Sequence, residues 1–434
     1  MDHLADVSRE DVLKRVDKEL LKRLTLELIR IPSPTGQEYE IGVYMSEKLR
    51  ELGLKVSFQE VEPKRPNVIG RLRGSGGGAT LQFDGHLDVS FTGQEEFMRG
   101  GVTSLSGRIE TINNEEWIFG AGAFNMKSAH AAYYTALKAL LDAGVELKGD
   151  VVLSATSGEI EETQVDEFVG AQYRGYGAGA HYAVTHSAVP DFVVLGEPTG
   201  MKLMVGHFGS LWAKVTNTGG TVVHTAWSRG VENKIEQMDV VLQELKKWKA
   251  EFESISEYKG YRGIVNLAAI RGGRPWKGSR TPDEVSVYVD VRFPPKWTPL
   301  QVQAMLEEFA QRVSRERGLK LVVEPYSVNP PTEIQESSYL VQSIKRNHRE
   351  VVGVDPEVVY ELWYSNAPHF NAMGAHAVNY GPSGGKKLSG LSLADKDREY
   401  ISVEDLYACT KVYASLALDV CMKNRYDLRP DLRP

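Results

Sequence analysis

The sequence predicts an α/β protein whose mainly parallel sheet is interrupted by an inserted α+β unit. Up to residue 205, short apolar segments of strand length alternate with amphipathic helices, the pattern that builds a parallel sheet. From 206 to 326 the rhythm changes to longer alternating strands backed by two helices. Signals of the first kind resume from Ser338 and close with a helix over 406–422. The expected domains are therefore 1–205 with 327–434, and the insertion 206–326.

Each element has its own signal. Over 9–28, Val12, Leu13, Val16, Leu20, Leu21, Leu24 and Leu28 recur at helical spacing, and a second amphipathic helix over 41–52 stops at Gly53. Between them IPSPTGQE is proline-rich and polar, a loop. Strands are expected over 56–61, 67–73 and 80–83, the last running at once into DGHLD. The stretch 92–116 reads as loop, 126–143 as helix, and 150–155 and 192–195 as buried strands. In the insertion the order is strand 205–218, a Gly-Gly turn, helix 233–252, strands 264–270 and 284–293, helix 298–318 and strand 319–325. There is no internal repeat or low-complexity tract, and SGGG at 75–78 is a loop.

Composition bounds the function. The chain has 434 residues, 42% hydrophobic and 25% charged, the proportions of an ordinary globular protein. Its 51 Lys and Arg against 58 Asp and Glu give a net charge of −7 spread along the chain, without the clustered basic surface that nucleic acid requires. Apolar runs such as 192–195 fall far short of the roughly 20 residues of a membrane span. MDHLADVSREDVLKR mixes acids and bases and has no apolar core, so a secretory signal is not expected. Cys409 and Cys421 share one late helical segment, which speaks against a disulfide framework or a cysteine-rich zinc site. A cytoplasmic protein with no nucleic-acid or membrane partner is the expectation.

Three strand ends deliver groups that can do chemistry. In DGHLDV, His86 and Asp88 alternate beyond a buried strand, which suits a metal ligand and the carboxylate that fixes its tautomer. A strand-end histidine satisfied by the backbone fits the spacing equally well. In SGEIEET, Glu159, Glu161 and Glu162 crowd another rim, as cation ligands or as a solvated acidic loop. Glu197, in GEPTG after a third strand, makes one shared site the better explanation. Tyr173, Tyr176, His181, Tyr182 and His186 form an aromatic-rich segment, either pocket lining or a packed surface excursion.

The ordered segments DGHLDV, GAGAFNMKSA, SATSGEI, VVLGEPTG, GTVVHTAWSRGVENKI, YGPSGG and ADKDREYISVEDL run from Leu26 to Tyr413 as a set. Together they resemble the metal-dependent aminoacylase, deacetylase and carboxypeptidase family, which includes acetylornithine deacetylase, succinyl-diaminopimelate desuccinylase and glutamate carboxypeptidase. The resemblance implies an α/β catalytic domain and an inserted lid domain that often dimerises, hence a homodimer or higher homo-oligomer.

By resemblance His86 is a metal ligand, Asp88 its orienting aspartate, Glu159 the general base and Glu197 the acidic ligand. Three family positions differ: the bridging aspartate is Asn125, the glutamate after the base is Ile160, and the late histidine is Asp395. Two clustered divalent ions need carboxylates to hold them, and this chain has lost the bridging one. One divalent ion per subunit, zinc or manganese, is therefore expected on His86, Asn125 and Glu197, with Glu161, Glu162 or Asp395 as candidates to refill a missing position. The resemblance further implies that His224 stabilises the oxyanion, in its own or a neighbouring subunit's site, and that Asn233, Arg280 and the His369 loop, with Asn366, meet substrate. The implied reaction is hydrolysis of an amide-like C–N bond in a small carboxylate-bearing substrate such as an N-acyl amino acid. Two alternatives stay open: a deaminase of a small aromatic or heterocyclic amine, and a non-catalytic binding relative.

Overall fold

The computed structural model describes residues 7–90, 106–382 and 399–433. The chain divides into a first unit of Met1–Val205, Ile334–Val359 and Ser365–Pro434, and a second of Gly206–Glu333 with Tyr360–Tyr364.

The first unit opens with α1 (Arg9–Leu13) and α2 (Lys18–Ile29) rather than the single helix expected over 9–28. The break lies at Asp17, whose carboxylate accepts the N–H groups of Glu19 and Leu20 and so starts a new helix. α3 (Tyr39–Glu51) leads to β1 (Lys55–Glu62), β2 (Arg65–Leu72) and β3 (Leu81–His86). β4 (Arg108–Ile112) and β5 (Glu115–Phe119) form a hairpin that begins within 92–116, expected to be loop, and runs three residues beyond it. Its turn residues Asn113 and Asn114 sit at φ 54° and 64°, the left-handed region that asparagine tolerates. α4 (Lys127–Asp142), β6 (Val151–Thr156), α5 (Ala178–His186), β7 (Phe192–Leu195) and β8 (Leu203–His207) follow.

The second unit contains β9 (Gly209–Asn217), α6 (Lys234–Ile255), β10 (Ile264–Gly272), β11 (Val285–Phe293), α7 (Pro299–Arg317), β12 (Leu321–Asn329) and β13 (Thr332–Glu333). Its antiparallel sheet runs β10-β11-β9-β12, and α6 and α7 bury Val241, Leu245, Leu306 and Phe309 against Leu211, Val215, Val287 and Val291. The unit extends past the expected limit at 326 because β12 keeps pairing to Asn329, opposite Ser210. It also takes back Tyr360–Tyr364, and the Phe208 N–H donates to the Glu361 carbonyl.

The first unit is completed by α8 (Tyr339–Val352), β14 (Val358–Glu361, which runs into the second unit), α9 (Ala367–Ala372), β15 (His376–Asn379), β16 (Tyr400–Ser402), α10 (Val403–Cys421) and α11 (Arg425–Leu428). Its main sheet runs β1-β2-β6-β3-β7-β15-β8, parallel through β6, β3, β7 and β15 and antiparallel at both sides. β3, β6 and β7 are buried throughout, as expected of strands covered on both faces. Val193 and Leu195 pack with α5 and α9 on one face, while α4 and α10 pack against β3. Register sets His86 opposite Thr156 and Asp84 opposite Leu195, so three carboxyl-terminal strand ends lie side by side. Among the described residues no helix is long and apolar enough to cross a membrane. Cys409 and Cys421 are separate buried thiols.

Candidate metal centre and active site

Beyond those strand ends four acceptors converge. His86 Nε2 lies 2.9 Å from Asn125 Oδ1, 3.7 Å from Glu159 Oε2 and 3.8 Å from Glu197 Oε1. His86, Glu159 and Glu197 are all buried, and each offers a ligand atom within 4.8 Å of the others, the one such trio among the described residues. His86 Nδ1 lies 2.8 Å from the Asp88 carbonyl oxygen. A carbonyl can only accept, so Nδ1 carries a proton, and Nε2 is the ring atom that faces the amide oxygen and the two carboxylates. This is a set of donor atoms that a divalent cation completes.

The electrostatics follow from burial. Desolvation, reinforced by Glu197 and Asp88, pushes the Glu159 carboxyl well above its ordinary value. Burial also lifts Glu197 to about 7 against the pull of His86. For His86 burial acts downward, but Glu197 and Asp88 outweigh it and the ring stays above its usual range. On the Asn125 loop, Glu399 accepts the backbone N–H groups of Gly122 at 2.8 Å and Asn125 at 3.3 Å. The buried Lys127 donates to the Ile31 carbonyl at 2.7 Å, and desolvation draws its ammonium down to about 7.

Asp88 works differently from the sequence expectation. Its carbonyl, not its carboxylate, contacts the imidazole; the nearer carboxylate oxygen stands 3.7 Å from Nδ1. The carboxylate instead accepts the N–H groups of Glu159 at 3.0 Å and Ile160 at 3.2 Å and the Thr35 hydroxyl at 2.9 Å. Those two amides are buried just past β6 and would otherwise lack partners, which is why they capture the carboxylate. Behind it Arg65 holds Glu38 through Nε and Nη2, an almost fully buried pair.

The other expected residues separate into two groups. Near the centre, Ile160 is buried, while Glu161 and Glu162 are half-buried and lie outside the trio of ligand atoms. Asp395 lies outside the described residues. Asn366 is buried, its Nδ2 3.4 Å from Asp84 Oδ2 and 3.3 Å from Thr156 Oγ1. His369 is half-buried, its ring 5.7 Å from that of His181, and Tyr182 stacks on His186 at 3.8 Å. In the second unit His224 and Arg280 face each other across an isolated antiparallel bridge, and Asn233 caps α6 through the Ile235 N–H at 2.9 Å.

Two further buried groups, Asp84 and His130, lie beside the centre and carry little signal in the sequence. Asp84 accepts the Ser154 hydroxyl, and burial pushes its carboxyl up to about 6. Its signal was position, two residues before His86 and hence on the same face of β3. His130 Nε2 lies 2.9 Å from the His86 carbonyl and supports the end of β3 from α4. Nothing in its helical spacing distinguishes it from an ordinary core residue.

A buried His-Glu-Glu cluster beyond parallel strand ends, in a chain with a separate antiparallel α+β unit, defines a metallohydrolase. The chain belongs to Peptidase family M20/M25/M40, whose sequence profile matches residues 82–419, and it is a hydrolase of amide bonds. Enzymes of this family use divalent metals. The chain is 24% identical to N-formyl-4-amino-5-aminomethyl-2-methylpyrimidine deformylase of Bacillus subtilis, with 94% of this chain and 96% of that protein aligned. It is 33% identical to the succinyl-diaminopimelate desuccinylase of Gluconacetobacter diazotrophicus over 51% of this chain and 55% of that one. In fold it is similar to a tripeptidase of Staphylococcus aureus, with TM-score 0.72, 17% identity, and 94% of this chain and 100% of that chain covered. An M20 family metallo-carboxypeptidase of Sulfolobus solfataricus gives TM-score 0.69 at 18% identity, with 92% and 98% covered.

Proposed function

We propose that the chain hydrolyses the amide-type C–N bond of a small carboxylate-bearing N-acyl compound, with Glu159 as general base at a single-ion site. The observation that carries this is the convergence of His86 Nε2, Asn125 Oδ1 and the Glu159 and Glu197 carboxylates in a buried space. His86, Asn125 and Glu197 would hold one ion, zinc or manganese. Such an ion, when bound, polarises the scissile carbonyl and makes water a stronger acid. Glu159 takes the proton of the attacking water and returns it to the leaving nitrogen. The Asp88 carboxylate fixes the backbone from which Glu159 projects. Asn125 and Ile160, standing where the family resemblance expects carboxylates, leave a second ion little to hold it.

In this reading His224 serves the developing oxyanion, and Asn233, Arg280 and His369 serve polar groups of the substrate. The second unit takes the lid and dimerisation role, and the working enzyme is a cytoplasmic homodimer. The curated relatives are a deformylase and desuccinylases, which favours acyl transfer to water and lends nothing to a deaminase. The test is metal content per subunit together with Glu197→Ala and Glu159→Gln. About one equivalent, lost in the first variant and kept with activity down at least ~100-fold in the second, is expected. Two equivalents would refute the single-ion site. No metal after supplemented growth would favour a binding protein.

A further inference from the structure

β3 buries an acid that the proposed mechanism leaves unused. Asp84 stands two residues before His86, on the same face of the strand, and no part of it reaches solvent. Its carboxyl group is met by donors. Ser154 Oγ accepts from Gln82 Nε2 at 2.9 Å and turns its own proton to Asp84 Oδ1. Asn366 Nδ2 lies 3.4 Å from Asp84 Oδ2 and 3.3 Å from Thr156 Oγ1, whose proton goes to the Gly85 carbonyl at 3.3 Å, so the amide presents N–H on this side. A carboxyl group surrounded by donors is held as the carboxylate.

The other buried acids around the centre have stronger partners. Glu38 is held by Arg65, Asp88 by two backbone N–H groups and a hydroxyl, and Glu399 by two backbone N–H groups. Among the described residues the Asp84 carboxylate has neither an ion pair nor a backbone N–H. A buried anion without a counter-charge is costly unless a cation settles near it. The next side chain on that face is His86, whose Nε2 faces Asn125 Oδ1 and the Glu159 and Glu197 carboxylates. Two residues along a strand span about 7 Å, a range over which charges in a dry interior act on one another strongly. Asp84 is not one of the ligand residues gathered within 4.8 Å, so it acts on that position without contact.

We propose that Asp84 anchors the metal ion through its charge, supplying from one step back along β3 the negative charge that Asn125 and Ile160 do not provide. The inference rests on the reading above that His86, Asn125 and Glu197 hold one ion.

The test is Asp84→Asn in the full-length chain, read by competition for zinc and for manganese against a chromogenic chelator and by thermal unfolding of the metal-free form. The substitution removes the charge and keeps the shape: the new amide can donate to Ser154, whose proton then turns to the Phe83 carbonyl, 3.4 Å away. Affinity is expected to fall about 10-fold, the lower end for groups that support a ligand shell. The factor should be the same for both ions, since a charge that touches neither is blind to their ligand preferences. The metal-free form should unfold at the same temperature or higher, because an unpaired buried carboxylate has gone, whereas a merely structural Asp84 would leave it less stable. Asp84→Asn with Asn366→Asp, which carries the carboxylate across one hydrogen bond, should recover most of the lost affinity. Unchanged affinity, a loss for one ion only, a less stable metal-free form or a swap that recovers nothing each overturns the proposal. If the parent takes up no ion, the single-ion reading falls and this proposal with it; if the parent binds one ion and Asp84→Asn binds it as tightly, only this proposal falls.

Discussion

The carboxylate of Asp88 accepts the backbone N–H of Glu159 at 3.0 Å, so the end of β3 and the loop after β6 are joined by a side chain. The same residue's carbonyl, 2.8 Å from His86 Nδ1, fixes the imidazole. One residue thus positions the His86 ring through its main chain and the Glu159 backbone through its side chain.

Because the two tasks use different atoms, Asp88→Asn should separate them. The amide keeps an acceptor for one of the two loop N–H groups but not for both. Activity is expected to fall about 10- to 100-fold, the usual scale for groups that orient a site, while metal content stays near that of the parent. Elemental analysis beside kcat/KM checks this; parallel loss of metal and activity would mean that the carboxylate, not the carbonyl, sets the imidazole.

Arg65→Met should strand Glu38 as an unpaired buried carboxylate. Breaking a buried pair from one side costs about 3–5 kcal/mol, so chemical denaturation should show a loss of that size. Replacing both partners with apolar residues, Arg65→Met with Glu38→Leu, should recover part of it.

Restoring the missing acids tests the charge argument at the centre. In Asn125→Asp with Ile160→Glu, two added carboxylates should raise the metal content above the single equivalent expected of the parent. The metal-free form of that variant should unfold more easily, since more negative charge is then buried unpaired. A stoichiometry that stays at one would show that the second position lacks something other than charge.

Chelation should lower the unfolding temperature of the parent protein, because a ligand that binds only the native state stabilises it by mass action, by about 4 kcal/mol at a thousandfold excess over Kd. In Glu197→Ala, chelation should produce a much smaller shift. Differential scanning calorimetry with and without chelator reads the difference.

Much of the centre is visible in the sequence because His86 ends one short buried strand while Glu159 and Glu197 follow two others, and parallel strands bring such ends together. Spacing also locates the insertion, since strand length and alternation change abruptly after Val205. What stays hidden depends on contacts rather than period. The split of the first helix turns on which side chain caps at Asp17. The hairpin of β4 and β5 lies in a largely polar stretch and turns at Asn113-Asn114, a pair with no alternating strands around it to mark it as a hairpin turn. Spacing puts His86 and Asp88 on one side of the chain, but it cannot say that a carbonyl turns back to the ring while the carboxylate reaches another loop. Asp84 and His130 are polar residues in apolar surroundings, and only their partners reveal why they are tolerated there.

The order of strands has a consequence for how the molecule comes into being. β15 lies between β7 and β8 in the sheet, yet it is translated only after the whole of the second unit. The slot between β7 and β8 must therefore remain open on the ribosome while residues 206–333, contiguous in the chain, are free to fold by themselves. Until His376–Asn379 arrive, the exposed edge of β7 is a place for a chaperone to bind or for a neighbouring nascent chain to pair in error. The latest-made strand closes the sheet, and with it the floor on which Glu197 stands.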